Sequence, residues 1–73
     1  MARLERLHAI TEEIRLRAPL PVSAAWLAEE LGVTRRTIER DLATLRAGGL
    51  PLLAEPGRRG CVRRRQQSAN RNA

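Results

Sequence analysis

Residues Ser23 to Leu45 read SAAWLAEELGVTRRTIERDLATL, and two short helices joined by a glycine turn can be read from them directly. Ser23 is a good N-cap, and Val22 before it can pack on Leu27 as a hydrophobic staple. Ala24, Leu27, Ala28 and Leu31 make a narrow apolar face whose small residues let another helix approach closely. Gly32 follows as the residue that takes the left-handed conformation after a helix. Only Val33 then separates it from Thr34, a second N-cap. The helix that Thr34 opens is expected to run to about Ala47, with Ile38, Leu42 and Leu45 turned inward, and Gly48 and Gly49 end it.

Short helices do not persist alone in water, because nucleating the first turn is costly. This pair therefore needs a third element, and the residues before it supply one. From Arg3 to Ala18, Leu4, Leu7, Ile10 and Ile14 recur at helical spacing and form one stripe. Leu16 falls off that stripe and is expected at the surface, while His8 sits at its edge as a half-buried structural histidine. Glu13 and Arg17 can pair at i, i+4, a contribution of about 0.3 kcal/mol. Pro19 and Pro21 stop the helix. Leu27, Leu31, Val33, Ile38, Leu42 and Leu45 are then expected to share a core with Leu4, Leu7, Ile10 and Ile14.

Beyond the glycines, Leu50 to Ala54 is short and apolar. EPGRRG (Glu55 to Gly60) has Pro-Gly turn chemistry, and Cys61 to Arg64 can return as a second strand. QQSANRNA (Gln66 to Ala73) has no apolar pattern and reads as disordered. The predicted fold is mainly α: a three-helix helix-turn-helix core with a short C-terminal β-hairpin wing over residues 1–65. A disordered basic tail is expected over 66–73.

Composition narrows the function. The chain of 73 residues permits one small domain. With a single cysteine, Cys61, no intramolecular disulfide can form, which points to the cytoplasm. Cys61 and His8 are the only soft ligands, so neither a metal nor another cofactor is expected. No apolar run is long enough for a signal peptide or a membrane span. An enzyme is not expected either: there is no acid-base pair in a plausible cleft and no phosphate-binding loop. Every one of the 14 basic residues is arginine, and the formal net charge is +6. Met1 to Thr34 holds four arginines and five acids, whereas Arg35 onward holds ten arginines and three acids. A solubilising basic surface would explain such a bias, but a docked polyanion explains its confinement to the back half.

Helical geometry fixes which of these arginines point outward. With Ile38, Leu42 and Leu45 inward, Arg36, Arg40, Ala43 and Ala47 lie opposite the core, flanked by Thr37 and Glu39. A helix entering the major groove needs long donors near its N-terminal end, and arginine can bind guanine through two hydrogen bonds. Arg36, Thr37 and Arg40 are thus the expected base-reading residues. Thr34 and the helix N-terminus suit a phosphate oxygen, as does Arg35, which lies nearer the core side. Glu39 is read as orienting Arg35 or Arg36 in preference to accepting from a cytosine amino group. Asp41, nearer the buried side, is read as structural.

The stretch VSAAWLAEELGVTRRTIERDLATLRAGGLPL (Val22 to Leu52) resembles the N-terminal helix-turn-helix of DeoR-type and WYL-domain bacterial transcription regulators. Its most specific element is LGVTRRTIERDL (Leu31 to Leu42), and the similarity extends from about Leu4 to Gly60. The resemblance implies a winged helix that binds double-stranded DNA near promoters. Carried over by position, Thr34, Arg35, Arg36, Thr37 and Arg40 lie on the recognition helix, Ser23 meets the phosphate backbone, and Arg58 and Arg59 lie in the wing. It also implies a C-terminal effector domain outside this chain. A homodimer on DNA is the usual arrangement, since one recognition helix reads only a few base pairs. The chain departs from the family after EPGRRG, where the strand has only Cys61 and Val62 as apolar support. Trp26 falls near the surface, where it either packs over the first helix or the wing or serves self-association.

The competing class is a winged-helix protein-interaction module of the antirepressor kind, with its arginines facing an acidic protein. Such docking favours aromatic anchors, and the chain has one Trp, no Phe and no Tyr. RNA binding is disfavoured on the same ground, for want of stacking aromatics.

Overall fold

The structure, a computed structural model, describes residues 2–54 and 60–64. Its elements in chain order are α1 (Arg3–Arg17), β1 (Val22–Ser23), α2 (Ala24–Leu31), α3 (Arg35–Ala47), β2 (Leu52–Ala54) and β3 (Cys61–Arg64). This is a winged helix-turn-helix, as the sequence predicts. The expected tail over 66–73 and the wing arginines Arg58 and Arg59 lie outside the described residues.

Local chemistry sets the helix ends. The Ser23 hydroxyl accepts from the Trp26 N–H at 2.9 Å, and the Thr34 hydroxyl accepts from the Thr37 N–H at 3.2 Å. Each satisfies one of the donors that a helix start leaves without a partner. Gly32 sits at φ 69° and ψ 33°, and its N–H closes α2 on the Ala28 carbonyl. The following Val33 N–H reaches the same carbonyl at 3.0 Å. A side chain at Gly32 would therefore be strained even though the space around it is open. On α1, Glu5 accepts from the Ala2 N–H at 3.1 Å, and Arg15 and Arg17 occupy the electronegative last turn. Glu13 pairs with Arg17 as expected, and Glu12 with Arg15 at 2.9 Å. The Arg15 hydrogen bond holds the Glu12 carboxyl below its ordinary pKa.

The sheet holds one strand more than the sequence suggested. Its order is β1-β3-β2, antiparallel throughout, with Val22 opposite Val62 and Ser23 opposite Cys61. On the other side of β3, Leu52 faces Arg64, Leu53 faces Arg63 and Ala54 faces Val62. Two residues before α2 thus cover one edge of the wing hairpin. An isolated two-stranded hairpin is marginal in water, and a third strand stabilises it.

The core sits where α1, α2, α3 and this sheet meet. Ile10, Ile14, Leu27 and Ile38 are fully buried, joined by Val22, Ala24, Ala28, Leu42, Leu52 and Val62. Burying one such large aliphatic side chain contributes about 1.5–3 kcal/mol. Leu31, Val33, Leu45, Leu50 and Trp26 pack against this cluster from its margins. Val62, one of the two apolar residues the second wing strand was expected to have, is buried in this core. Two expectations for α1 need correction. Leu4 is 79% exposed and does not join the core, because the first turn of α1 turns its arginines, not its leucine, toward α3. His8 is exposed rather than half-buried. Leu16 is exposed, as its place off the stripe implied.

Candidate nucleic-acid interface

α3 is held by its inward face, so its outward face is fixed. Ile38, Asp41 and Leu42 are buried, whereas Arg35, Arg36, Glu39, Arg40, Ala43 and Ala47 are exposed and Thr37 is half-buried. The charged residues of this helix divide into two sets. Arg35 donates to Glu39 at 3.2 Å, and Asp41 is engaged by Arg6 from α1. Arg36 and Arg40 make no side-chain hydrogen bond or ion pair among the described residues. Glu39 therefore orients Arg35, one of the two partners the sequence allowed it, and leaves Arg36 unpaired.

At the start of α3, Thr34 and Thr37 form a small polar cluster. Beyond the cap bond, their hydroxyl oxygens lie 3.0 Å apart. Ser23 plays the corresponding role for α2 while also pairing with Cys61 in the sheet. The structure thus brings Thr34, Arg35, Arg36, Thr37 and Arg40 onto the first turns of one helix, and places Ser23 on the neighbouring helix start. Cys61 is a free, half-buried thiol on β3.

The sequence did not show how the wing is joined to this helix. Gly60 adopts φ +74°, and a Cβ there would lie 2.5 Å from the Nη2 of Arg35. The Gly60 carbonyl also accepts from the Ala24 N–H at 2.7 Å. One glycine at the head of β3 therefore receives the start of α2 and gives the Arg35 guanidinium room to lie against it. Arg35 was expected to serve phosphate; its side chain also spans α3 and the wing.

Two further arginines reach the same region from α1. The Arg3 Nη2 donates to the Thr44 hydroxyl at 3.2 Å. Arg6 grips both oxygens of Asp41, with its Nη2 at 3.2 Å from Oδ1. The Asp41 hydrogen bond raises the Arg6 pKa above its already high ordinary value, so this guanidinium stays charged. Sequence reading noted Asp41 as structural but missed its partner. A carboxylate on the buried side of a helix calls for a cation nearby, and that signal could have directed attention to Arg6. Arg3, Arg6, Thr37, Arg40 and Asp41 line a cleft of roughly 470 Å³ between the two helices.

Trp26 is half-buried on α2, with the Arg17 guanidinium 4.3 Å from its ring centroid. It packs over the end of α1, one of the roles the sequence allowed. No helix among the described residues is long and apolar enough to cross a membrane. Among the same residues, no three His, Cys, Asp or Glu side chains gather as a metal site requires.

Residues 6–61, most of the fold just described, match the model of the HTH domain family. The chain belongs to the HTH domain family. A relative of this HTH domain is the "Probable transcription repressor NiaR" of Thermotoga maritima, 46% identical over 54 residues. The alignment covers 74% of this chain and 30% of the relative, so the HTH domain chain spans less than a third of that protein's length. No solved structure matches the chain.

Proposed function

We propose that this HTH domain is the DNA-binding unit of a transcriptional regulator and that α3 reads the major groove. The observation that carries the reading is the partition of charge on α3. Its acids, Glu39 and Asp41, are committed to Arg35 and Arg6, so neither neutralises Arg36 or Arg40. Two unpaired guanidiniums on one exposed helix face make a positive patch that attracts a polyanion. Ala43 and Ala47 continue that face without bulk, which suits close approach to a groove wall.

In this reading Arg36, Thr37 and Arg40 meet base edges, and Thr34, Arg35 and Ser23 meet phosphate oxygens. Arg58 and Arg59 serve the wing side, and Arg63 to Arg65 add sequence-independent attraction. Residues 1–65 act as one winged unit, and two copies read two half-sites as a homodimer on DNA. A transcription repressor among the relatives supports the regulatory part of the reading. The narrower kinship with DeoR-type and WYL-domain regulators rests on the block LGVTRRTIERDL. Docking of an acidic protein is less well supported, because the sole aromatic residue lies on α2 beneath Arg17 and not on the α3 face.

The test compares two kinds of substitution on a preferred duplex and on a random one. Arg36→Ala or Arg40→Ala is expected to cost about 1–3 kcal/mol on the preferred duplex and little on the random one. Arg64→Ala is expected to weaken both alike and to flatten the salt dependence. Identical behaviour of the two kinds of substitution on the two duplexes would overturn base readout by α3.

A further inference from the structure

The cleft between α1 and α3 lies beside the face assigned to base readout, since Thr37 and Arg40 belong to both. Its lining is unbalanced in charge. Three arginines and one carboxylate surround it, and the carboxylate of Asp41, almost fully buried, is already engaged by the Nε and Nη2 of Arg6. Arg3 and Arg40 are left as uncompensated cations at its margin. Arg3 is also not a loosely solvated side chain. Its Nη2 donates to Thr44, one turn beyond Arg40 on α3, which draws the guanidinium in toward that helix. The Thr44 hydroxyl donates in turn to the Arg40 carbonyl at 3.1 Å, so the acceptor is held in place.

We propose that this cleft is a phosphate-binding subsite in which Arg3 of α1 holds one phosphodiester of the DNA strand flanking the groove, while Arg40 at its margin reaches the bases. The proposal rests on the DNA-binding reading and adds to it a contact from outside the helix-turn-helix pair. Arg6 and Asp41 form the neutral floor of the subsite, fixing the distance between the helices. Arg3 supplies charge-assisted hydrogen bonds, the strong kind for an oxyanion. Thr44 positions Arg3 and does not itself meet the phosphate. The chemistry recognised is a phosphate oxyanion, and its source is the DNA backbone because Thr37 and Arg40 line both the cleft and the face assigned to the bases.

The experiment measures binding of the 73-residue chain to a mixed-sequence duplex, at salt concentrations from about 50 mM to about 200 mM. Each phosphate contact contributes roughly 0.9 to the slope of log affinity against log salt. Arg3→Ala is expected to reduce that slope by about this amount, with the same loss on every sequence. Arg3→Lys retains the charge and should keep most of the slope. Thr44→Val should weaken binding while leaving the slope near its original value, because the cation is kept and only its orientation is lost. Arg3 and Thr44 lie away from the apolar core, and circular dichroism confirms that the variants fold. A titration with inorganic phosphate, followed by NMR of the arginine Nε–H groups, separates the two sources of the anion. A shift at Arg3 with duplex and not with phosphate supports the backbone as ligand; equal saturation by the free ion would overturn it. If Arg3→Ala binds with unchanged slope while Arg64→Ala flattens it, the subsite is wrong and DNA binding stands. If the unsubstituted chain binds no duplex at all, the DNA reading itself fails and the subsite with it.

Discussion

Arg6 on α1 holds Asp41 on α3 through both carboxylate oxygens, across 35 positions of sequence. Asp41 is the buried charged residue of the described structure, only 3% exposed. It lies between Arg40, which faces outward, and Leu42, which faces the core, so the pair fixes the rotation of α3 about its own axis. The direction in which Arg36 and Arg40 point follows from that rotation.

Removing one member of such a pair leaves the other desolvated and unpaired. Asp41→Ala is expected to destabilise the domain by about 2–3 kcal/mol, since Arg6 keeps some access to water. The double variant Arg6→Met, Asp41→Leu should recover most of that loss, because an apolar pair of similar volume carries no desolvation penalty. Urea denaturation checks both expectations through the midpoint at constant slope.

Gly32 and Gly60 both adopt positive φ, but only Gly60 has a neighbour in the way. Gly32→Ala is expected to cost about 1 kcal/mol from backbone strain alone. Gly60→Ala should cost only slightly more, because the Arg35 guanidinium in its way is the end of a flexible, half-exposed side chain that can swing aside. Adding Arg35→Ala to each variant separates the contributions. The second substitution should soften the effect at Gly60 and leave the effect at Gly32 unchanged.

The two N-caps offer a cleaner measure of local energetics. Ser23→Ala and Thr34→Ala are each expected to lower stability by about 1 kcal/mol. Substitution by glycine should cost only a few tenths. Thermal unfolding of the four variants tests this, and equal losses for alanine and glycine would contradict the cap assignment.

Those caps are also where sequence reading was most secure. Ser23, Gly32 and Thr34 act on donors and acceptors within four residues, so their chemistry is visible in a short window. The limits of α2 and the start of α3 follow from them. β1 was not visible, because two residues have no periodicity of their own. Val22 and Ser23 become a strand only by pairing with Val62 and Cys61, and Val22 was read as a staple instead. The leucine stripe on α1 was over-extended for a related reason. Periodicity shows which residues share a face but not how far the partner surface reaches, and Leu4 lies beyond it. Of the candidate site, the placement of Arg36 and Arg40 on the outward face was legible from Ile38 and Leu42. The Arg6–Asp41 pair and the seat of Arg35 on Gly60 were not, since each depends on a contact distant in sequence.

Trp26 provides an optical probe of the α1–α2 contact. Arg17→Ala removes the cation over its ring and is expected to change tryptophan fluorescence while costing about 0.5–1 kcal/mol. An unchanged emission spectrum would contradict the placement of Arg17 over the ring.

The central claim is that α3 reads sequence, and selection of bound duplexes from a random pool tests it most directly. The unsubstituted chain is expected to enrich a short motif with guanine at one or more positions, and Arg40→Ala to lose preference at one of them while still binding. Enrichment of no motif, with binding that merely weakens as salt rises, would contradict the account.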